Sequence, residues 1–295
     1  MNGEPILTTE KLTKSYKLTD ANKEITVSLP KGGIIGFVGE NGSGKTTFLR
    51  MICGLTFPSS GSFSFGEKGC RIGAIVESPA FHPSMSARDN LRFQARLCGS
   101  DGSNIDRILD MTGLSDTGAK KARHFSLGMK QRLGIAIALL SEPELLILDE
   151  PTNGLDPEGI IELRGLLKHL CAETGMTILI SSHILSELSL LAEYYLFIHK
   201  GRLIRAMPAC ELNGEDSKLL MFKCCEDAGE FMRTAAERGL AAKTEVSDGW
   251  NVIRDPKNYP ALLEALSKLG VTELETKDET LESHYISLMN GGGAK

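Results

Sequence analysis

Along about the first 205 residues, the pattern of apolar and polar residues alternates between strand-like runs and helix-like runs. Short apolar runs predict strands at residues 25–29, 33–38, 71–76, 145–148, 176–180 and 195–199. The runs at 145–148 and 177–180 are apolar almost throughout, as in central parallel strands covered on both faces. Between them, residues 158–173 place apolar side chains at helical spacing. The pattern predicts β-α-β units around a parallel sheet.

Two further segments complete the predicted organisation. Residues of about 84–140 indicate helices with Gly and Ser breaks at 99–102 and 113–118, which predicts an inserted helical subdomain. A boundary near residue 208 divides the chain into a domain at 1–207 and an accessory domain at 208–295. In the accessory domain, shorter strand-like and helix-like runs predict a small α/β fold.

Residues 39–46 fit the phosphate-binding pattern G-x-x-x-x-G-K-[ST]. The pattern stands between a predicted strand and a predicted helix, so backbone N–H groups and the positive end of the helix dipole would meet at one point. Lys45 could reach the β- and γ-phosphates of a nucleotide, and the Thr46 hydroxyl could bind Mg²⁺. An accidental Gly-rich turn is the alternative, and the strand–helix context disfavours it.

Two carboxylates follow the apolar run at 145–148. Asp149 would emerge beside the phosphate-binding loop and hold Mg²⁺ through water. Glu150 would point at the γ-phosphate and orient or deprotonate the attacking water. A solvated acidic turn at the end of a strand is the alternative.

Three more segments carry candidate chemistry. Ser126 and Gly128 stand at a predicted helix start, where a hydroxyl and free N–H groups form a second phosphate-binding surface. A turn at 153–157 follows Glu150, and Ser-Ser-His at 181–183 follows another apolar strand.

With these segments together, the sequence strongly resembles the ATP-binding subunits of ABC transporters. GENGSGKTT at 39–47 is similar to Walker A, LLILDE at 145–150 to Walker B, FSLGMKQR at 125–132 to the signature, NGLDP at 153–157 to the D-loop and SSH at 181–183 to the H-loop. The matches come in family order over about residues 5–205. The fold class that the resemblance implies is α/β, a P-loop ATPase domain with a RecA-like core and a helical subdomain, followed by the small C-terminal domain.

The resemblance also implies roles for individual residues. Glu150 and His183 would be catalytic, with His183 in contact with the γ-phosphate, and Mg²⁺ would be held by Thr46, Asp149 and Glu77. The residues expected to contact ATP are Tyr16, which would stack on adenine, with Gly39, Asn41, Gly42, Ser43, Gly44, Lys45, Thr46, Thr47, Glu77, Ser126, Gly128 and Asp156.

Two departures from the common family pattern stand out. The signature has Leu127 and Met129 where Gly and Gln are usual, while Ser126 and Gly128 are kept. Glu77 replaces the usual Gln, and a carboxylate can bind Mg²⁺ or its water more strongly than an amide while adding negative charge beside the triphosphate. Glu77 and its surroundings are similar to the lantibiotic-immunity and bacitracin-resistance branch. Neutral change within an ordinary exporter is the alternative.

The composition of the chain limits which partners it can bind and in which compartment it is expected. No apolar run approaches the roughly 20 residues that cross a bilayer, and the N-terminus shows no signal peptide. The seven cysteines, odd in number and irregularly spaced, indicate reduced thiols of a cytosolic protein. Residues 206–295 hold 10 Lys+Arg against 16 Asp+Glu, and this acidic balance disfavours a nucleic-acid partner.

The resemblance implies an ATP-hydrolysing subunit of an exporter. Two copies would form a homodimer with two ATP molecules between them and would act on separate transmembrane permease subunits at the inner face of the membrane. The substrate expelled from the cell or the membrane would be a peptide antibiotic. The alternatives are a soluble ABC-type ATPase acting on ribosomes or DNA, and a P-loop kinase or GTPase, which leaves the signature and H-loop segments unexplained.

Overall fold

The structure is a computed structural model that describes residues 4–17, 19–66, 69–212, 218–224, 228–237, 241–247, 249–256, 259–269, 271–278 and 280–291. The chain divides into two compact units, Met1–Met207 and Pro208–Lys295. The strands of the first unit are β1 (Leu7–Tyr16), β2 (Thr19–Leu29), β3 (Gly33–Val38), β4 (Ser60–Phe65), β5 (Ile72–Ile75), β6 (Leu145–Asp149), β7 (Thr177–Ser182), β8 (Tyr194–His199) and β9 (Arg202–Pro208). Its helices are α1 (Lys45–Ile52), α2 (Ala87–Leu97), α3 (Ile105–Met111), α4 (Leu127–Leu139), α5 (Pro157–Thr174) and α6 (Leu185–Ser189).

The central sheet of the first unit has the described order β5-β6-β7-β3-β8-β9. From β5 to β8 the neighbouring strands run parallel. Every residue of β6 and β7 is buried, which confirms the central position predicted from their apolar runs. Parallel strands end at the same edge of a sheet, so the segments that follow β3, β6 and β7 lie close together.

The strand predicted at residues 25–29 is present, but its predicted place in the parallel sheet was wrong. Residues 25–29 belong to β2, which pairs antiparallel with β1 in a separate sheet of order β2-β1-β4. Ile25, Val27 and Leu29 are buried while Thr26 and Ser28 are exposed. This strict alternation is typical of an antiparallel strand with one solvated face, rather than of a parallel strand covered on both.

The region from α2 to α4 is helical, as the sequence predicts, with breaks at 99–102 and 113–118. α2 begins where the Ser86 side chain accepts a hydrogen bond from the Asp89 N–H. α4 begins in the same way, with the Ser126 hydroxyl accepting from the Met129 N–H. These two caps fix where the helices start.

The second unit has its own small core. Its strands are β10 (Lys218–Cys224), β11 (Ala241–Ser247), β12 (Trp250–Pro256) and β13 (Val271–Asp278), and its helices are α7 (Gly229–Glu237), α8 (Tyr259–Ser267) and α9 (Leu281–Gly291). The strands form an antiparallel sheet of order β11-β12-β10-β13, and the chain order up to β13 is β-α-β-β-α-β. Phe222 and Ile253 of the sheet pack with Met232 and Leu262 of the helices. Within the described residues, no helix of either unit is long and apolar enough to cross a membrane.

Candidate active site

The carboxyl ends of β3, β6 and β7 form the candidate site. Val38 pairs with Ser182, and Asp149 pairs with Ser181, so the register brings the three strand ends level. Gly39 to Lys45 follow β3, Glu150 follows β6, and His183 follows β7. The predicted Walker A, Walker B and H-loop segments therefore meet at one edge of the sheet.

Two glycines of the loop before α1 lie so close to neighbouring backbone that a side chain would not fit at either position. Gly44 has φ +106°, and a Cβ there would lie 2.3 Å from the Ala21 carbonyl oxygen. A Cβ on Gly39 would lie 2.6 Å from the Ile198 carbonyl oxygen. Among the described residues, no side chain caps the start of α1. The first N–H groups of α1 and its dipole thus suit an anion at this turn.

The Lys45 ammonium is buried at the centre of this turn, with 5% of the side chain exposed. Its Nζ donates to the carbonyl oxygens of Gly39 at 2.6 Å and Glu40 at 3.2 Å. The same Nζ lies 3.2 Å from Glu150 Oε1. Phosphate oxygens of a nucleotide that contact Lys45 would take the place of the Glu150 carboxylate.

The second oxygen of Glu150 contacts the predicted H-loop histidine. Glu150 Oε2 lies 2.5 Å from His183 Nδ1. Glu150 has φ +50°, an uncommon conformation for a non-glycine residue, and its N–H donates to the Ser181 hydroxyl at 2.9 Å. The structure therefore brings the two predicted catalytic residues together with Lys45.

Asp149 lies beside Glu150 and is 5% exposed. The Ser181 hydroxyl donates to Asp149 Oδ1 at 2.6 Å, and burial together with the Asp149 charge raises the pKa of the neighbouring Cys53 thiol to about 12. A buried carboxylate and the hydroxyl of Thr46 are oxygen donors of the kind that Mg²⁺ prefers. The donor set fits a magnesium ion, so the metal role of Thr46 and Asp149 stays a prediction that the chemistry of these side chains favours.

The Glu77 carboxylate forms an ion pair with the Arg50 guanidinium of α1. Its side chain is 60% exposed. The predicted contact of Glu77 with Mg²⁺ or ATP stays a prediction.

The remaining predicted contact residues lie on separate elements. Ser126 and Gly128 stand at the start of α4, and Asp156 caps α5 by accepting a hydrogen bond from the Gly159 N–H at 3.3 Å. Tyr16 ends β1 and is 47% exposed, with Lys14 Nζ 5.2 Å from the centre of its ring. Asn41 and Gly42 are exposed on the loop, whereas Ser43 is buried and Thr46 and Thr47 are half-buried.

Three residues of the site were not predicted from the sequence. Ser181 links Asp149 to the Glu150 backbone, Arg50 pairs with Glu77, and Asn22 donates to the Gly44 carbonyl oxygen at 3.2 Å. Ser181 lies within the predicted H-loop segment, which marks its place. Arg50 and Asn22 lie outside the predicted motifs, so the sequence pattern carries no signal for them.

A Gly-rich turn joins a strand to a helix that carries a buried lysine, and two adjacent carboxylates lie next to it on the parallel sheet. Together these features define a P-loop nucleoside triphosphatase site. The family model described as "ABC transporter" matches residues 22–153. The bacitracin transport ATP-binding protein BcrA of Bacillus licheniformis is 38% identical over 97% of this chain and 98% of its own length. The lantibiotic transport ATP-binding protein SrtF of Streptococcus pyogenes is 43% identical over 68% of this chain and 89% of its own.

Among solved structures, cbiO1 from Clostridium perfringens, described as part of the ABC transporter complex cbiONQ, superposes with a TM-score of 0.66 at 29% identity. The match covers 80% of this chain and 96% of that one. The chain belongs to the ABC transporter family, as an ATP-binding subunit that hydrolyses ATP. The predicted fold class is confirmed.

Proposed function

We propose that this chain powers the removal of a peptide antibiotic of the bacitracin or lantibiotic type from the cell or its membrane. The proposal rests on one observation above others, the similarity to BcrA across 97% of the chain. That similarity extends over both units rather than over the ATPase motifs alone. Relatives named for transport favour this function over a soluble ATPase that acts on ribosomes or DNA.

The chain is proposed to act as a homodimer on separate transmembrane permease subunits. Ser126 and Gly128 begin α4 in the helical region, whereas Lys45 and Glu150 lie at the edge of the central sheet. In the proposed dimer, the α4 start of one copy closes over the ATP held by Lys45 of the other. The permease would then hold the assembly at the inner face of the membrane.

In the proposed reaction, the site residues have distinct tasks. Lys45 binds the β- and γ-phosphates, and Glu150, displaced from Lys45, accepts a proton from the attacking water. The oxygen of that water bonds to the γ-phosphorus as the bond to the ADP oxygen breaks. His183 holds the Glu150 carboxylate in position through the contact at Oε2. Mg²⁺, when bound by Thr46 and Asp149, supplies neutralisation of charge on the phosphates.

The function is tested in a strain that carries this gene. Lys45→Ala removes the buried ammonium that binds phosphate, so we expect loss of ATP hydrolysis and a strain as sensitive to bacitracin or to a lantibiotic as a deletion strain. Lys168→Ala, which changes an exposed lysine on α5, is the matched control and should keep both. Chloramphenicol serves as the non-peptide drug, for which sensitivity should not change. Equal resistance to the peptides in the Lys45→Ala strain and its parent would contradict the proposal.

A further inference from the structure

Glu77 is presented by a tight turn directly after β5. The Ser78 N–H donates to the Val76 carbonyl oxygen at 3.0 Å, and Glu77 between them has φ +70°. Three-residue turns with a left-handed central residue are rare and strained, and such strain is concentrated at functional positions. The backbone therefore fixes the place from which the Glu77 side chain extends.

The partner of Glu77 lies on the helix that begins at the phosphate-binding loop. Arg50 is in the last turn of α1, four residues after Thr46. Residues four apart share one face of a helix, so Arg50 and Thr46 stand on the same side of α1. One helix face thus carries a predicted magnesium ligand at its start and the ion-pair partner of Glu77 at its end.

We propose that Arg50 is a positioning residue for Glu77, and that it competes with Mg²⁺ for the Glu77 carboxylate. The inference rests on the proposed ATPase function and on the predicted contact of Glu77 with Mg²⁺ or ATP. A guanidinium keeps its charge at any physiological pH and so neutralises the carboxylate whether or not metal is present. A Glu in place of Gln adds a negative charge that would repel the triphosphate. The Arg50 guanidinium balances this charge before the triphosphate binds.

Removing the Arg50 charge should have two effects of opposite direction. Without metal, an unneutralised Glu77 repels ATP, so binding of ATP in EDTA weakens. With metal, Glu77 is free to attract Mg²⁺, so the Mg²⁺ concentration that half-saturates ATP binding falls. Exposed ion pairs shift an equilibrium by about 1.4- to fivefold, so each effect should fall in that range.

The experiment measures binding of a fluorescent ATP analogue to the full-length chain, first in EDTA and then in a Mg²⁺ titration. The variants are Arg50→Gln, Glu77→Gln and the double variant. Gln has as many side-chain heavy atoms as Glu, so Glu77→Gln keeps the size and the turn and removes the charge. Arg88→Gln is the matched control, because Arg88 is 39% exposed, as Arg50 is, and pairs with Asp106 on α3.

We expect both shifts in Arg50→Gln, neither in Arg88→Gln, and no further effect of Arg50→Gln once Glu77 is Gln. Arg50→Lys keeps the charge with fewer donors, so it should shift both values in the same directions by less, and it carries the test if Arg50→Gln does not fold. An altered titration in Glu77→Gln with parental values in the Arg50 variants overturns the inference alone. A parental titration in Glu77→Gln overturns the proposed role of Glu77 and the inference with it.

Discussion

Ser181 shows how one small side chain organises the candidate site. Its hydroxyl donates to Asp149 Oδ1 and accepts from the Glu150 N–H, so a single oxygen orients two neighbouring acidic residues. The bond to the Asp149 carboxylate is buried, and a hydrogen bond to a charged group is stronger than one between neutral groups. The order of Asp149 and Glu150 along the chain then separates their proposed roles, the first beside the metal and the second beside Lys45.

Cys53 gives a prediction for the pH dependence of stability. Burial, and secondarily the Asp149 charge, raise the pKa of the thiol from 9.0 to about 12. In the unfolded chain the thiol ionises near pH 9, whereas in the folded chain it stays protonated. Its contribution to stability is therefore complete below pH 9 and is lost as the pH rises from 9 towards 12.

The measurement is urea unfolding of the parent and of Cys53→Ala between pH 8 and pH 11. The stability advantage of the parent should be constant up to about pH 9 and then fall by at most about 1.4 kcal/mol per pH unit. Because other titrating groups are common to both proteins, they cancel in the difference. A stability difference between the two proteins that stays constant up to pH 11 would show that folding does not raise the pKa of the Cys53 thiol.

At the scale of elements, the parallel sheet could be predicted from the sequence and the antiparallel sheet could not. The runs that became β6 and β7 are apolar because both faces are covered, and this gives a strong local signal. β4 is the opposite. Four of its six residues are Ser or Gly, and it pairs with β1, which lies more than 40 residues earlier in the chain. β1 also carries register shifts that break its period of two.

The site was predictable to the extent that its residues lie in contiguous motifs. Lys45, Glu150 and His183 each stand in a segment whose residue types explain their chemistry, and the structure brings them together. The pairing of Arg50 with Glu77 joins residues 27 positions apart. It depends on how a turn and a helix pack, which no local pattern encodes.

The docking of the phosphate-binding loop against β2 is an element-scale prediction. Gly42 and Gly44 both have positive φ, so Ala is strained at either position. A Cβ on Gly44 would also lie 2.3 Å from the Ala21 carbonyl oxygen and 2.7 Å from Asn22 Nδ2, while a Cβ on Gly42 meets no atom within 4 Å.

Gly42→Ala should therefore cost about 1 kcal/mol of unfolding free energy. Gly44→Ala should cost at least about 3 kcal/mol, and in the folded fraction it should weaken ATP binding at least tenfold. Urea unfolding and ATP titration of both variants decide the matter. Equal losses in the two would mean that β2 does not constrain the loop.

At the scale of the whole molecule, each unit has a core of its own. The packed cluster around Phe37 and Phe48 lies in the first unit, and the cluster around Phe222 lies in the second. Every predicted contact with ATP lies in the first unit. The proposed homodimer needs two copies of that unit, because Ser126 and Gly128 would serve the ATP that Lys45 of the other copy holds.

Light scattering of Glu150→Gln in solution with Mg²⁺ and ATP measures whether bound ATP joins two chains. This variant keeps the size of Glu150 and removes the proposed proton acceptor, so bound ATP persists. The proposed homodimer predicts a particle of twice the 32.0 kDa of one chain with ATP, and a monomer without ATP or in Lys45→Ala. A 32.0 kDa particle that is saturated with ATP and stays monomeric at every protein concentration would contradict it.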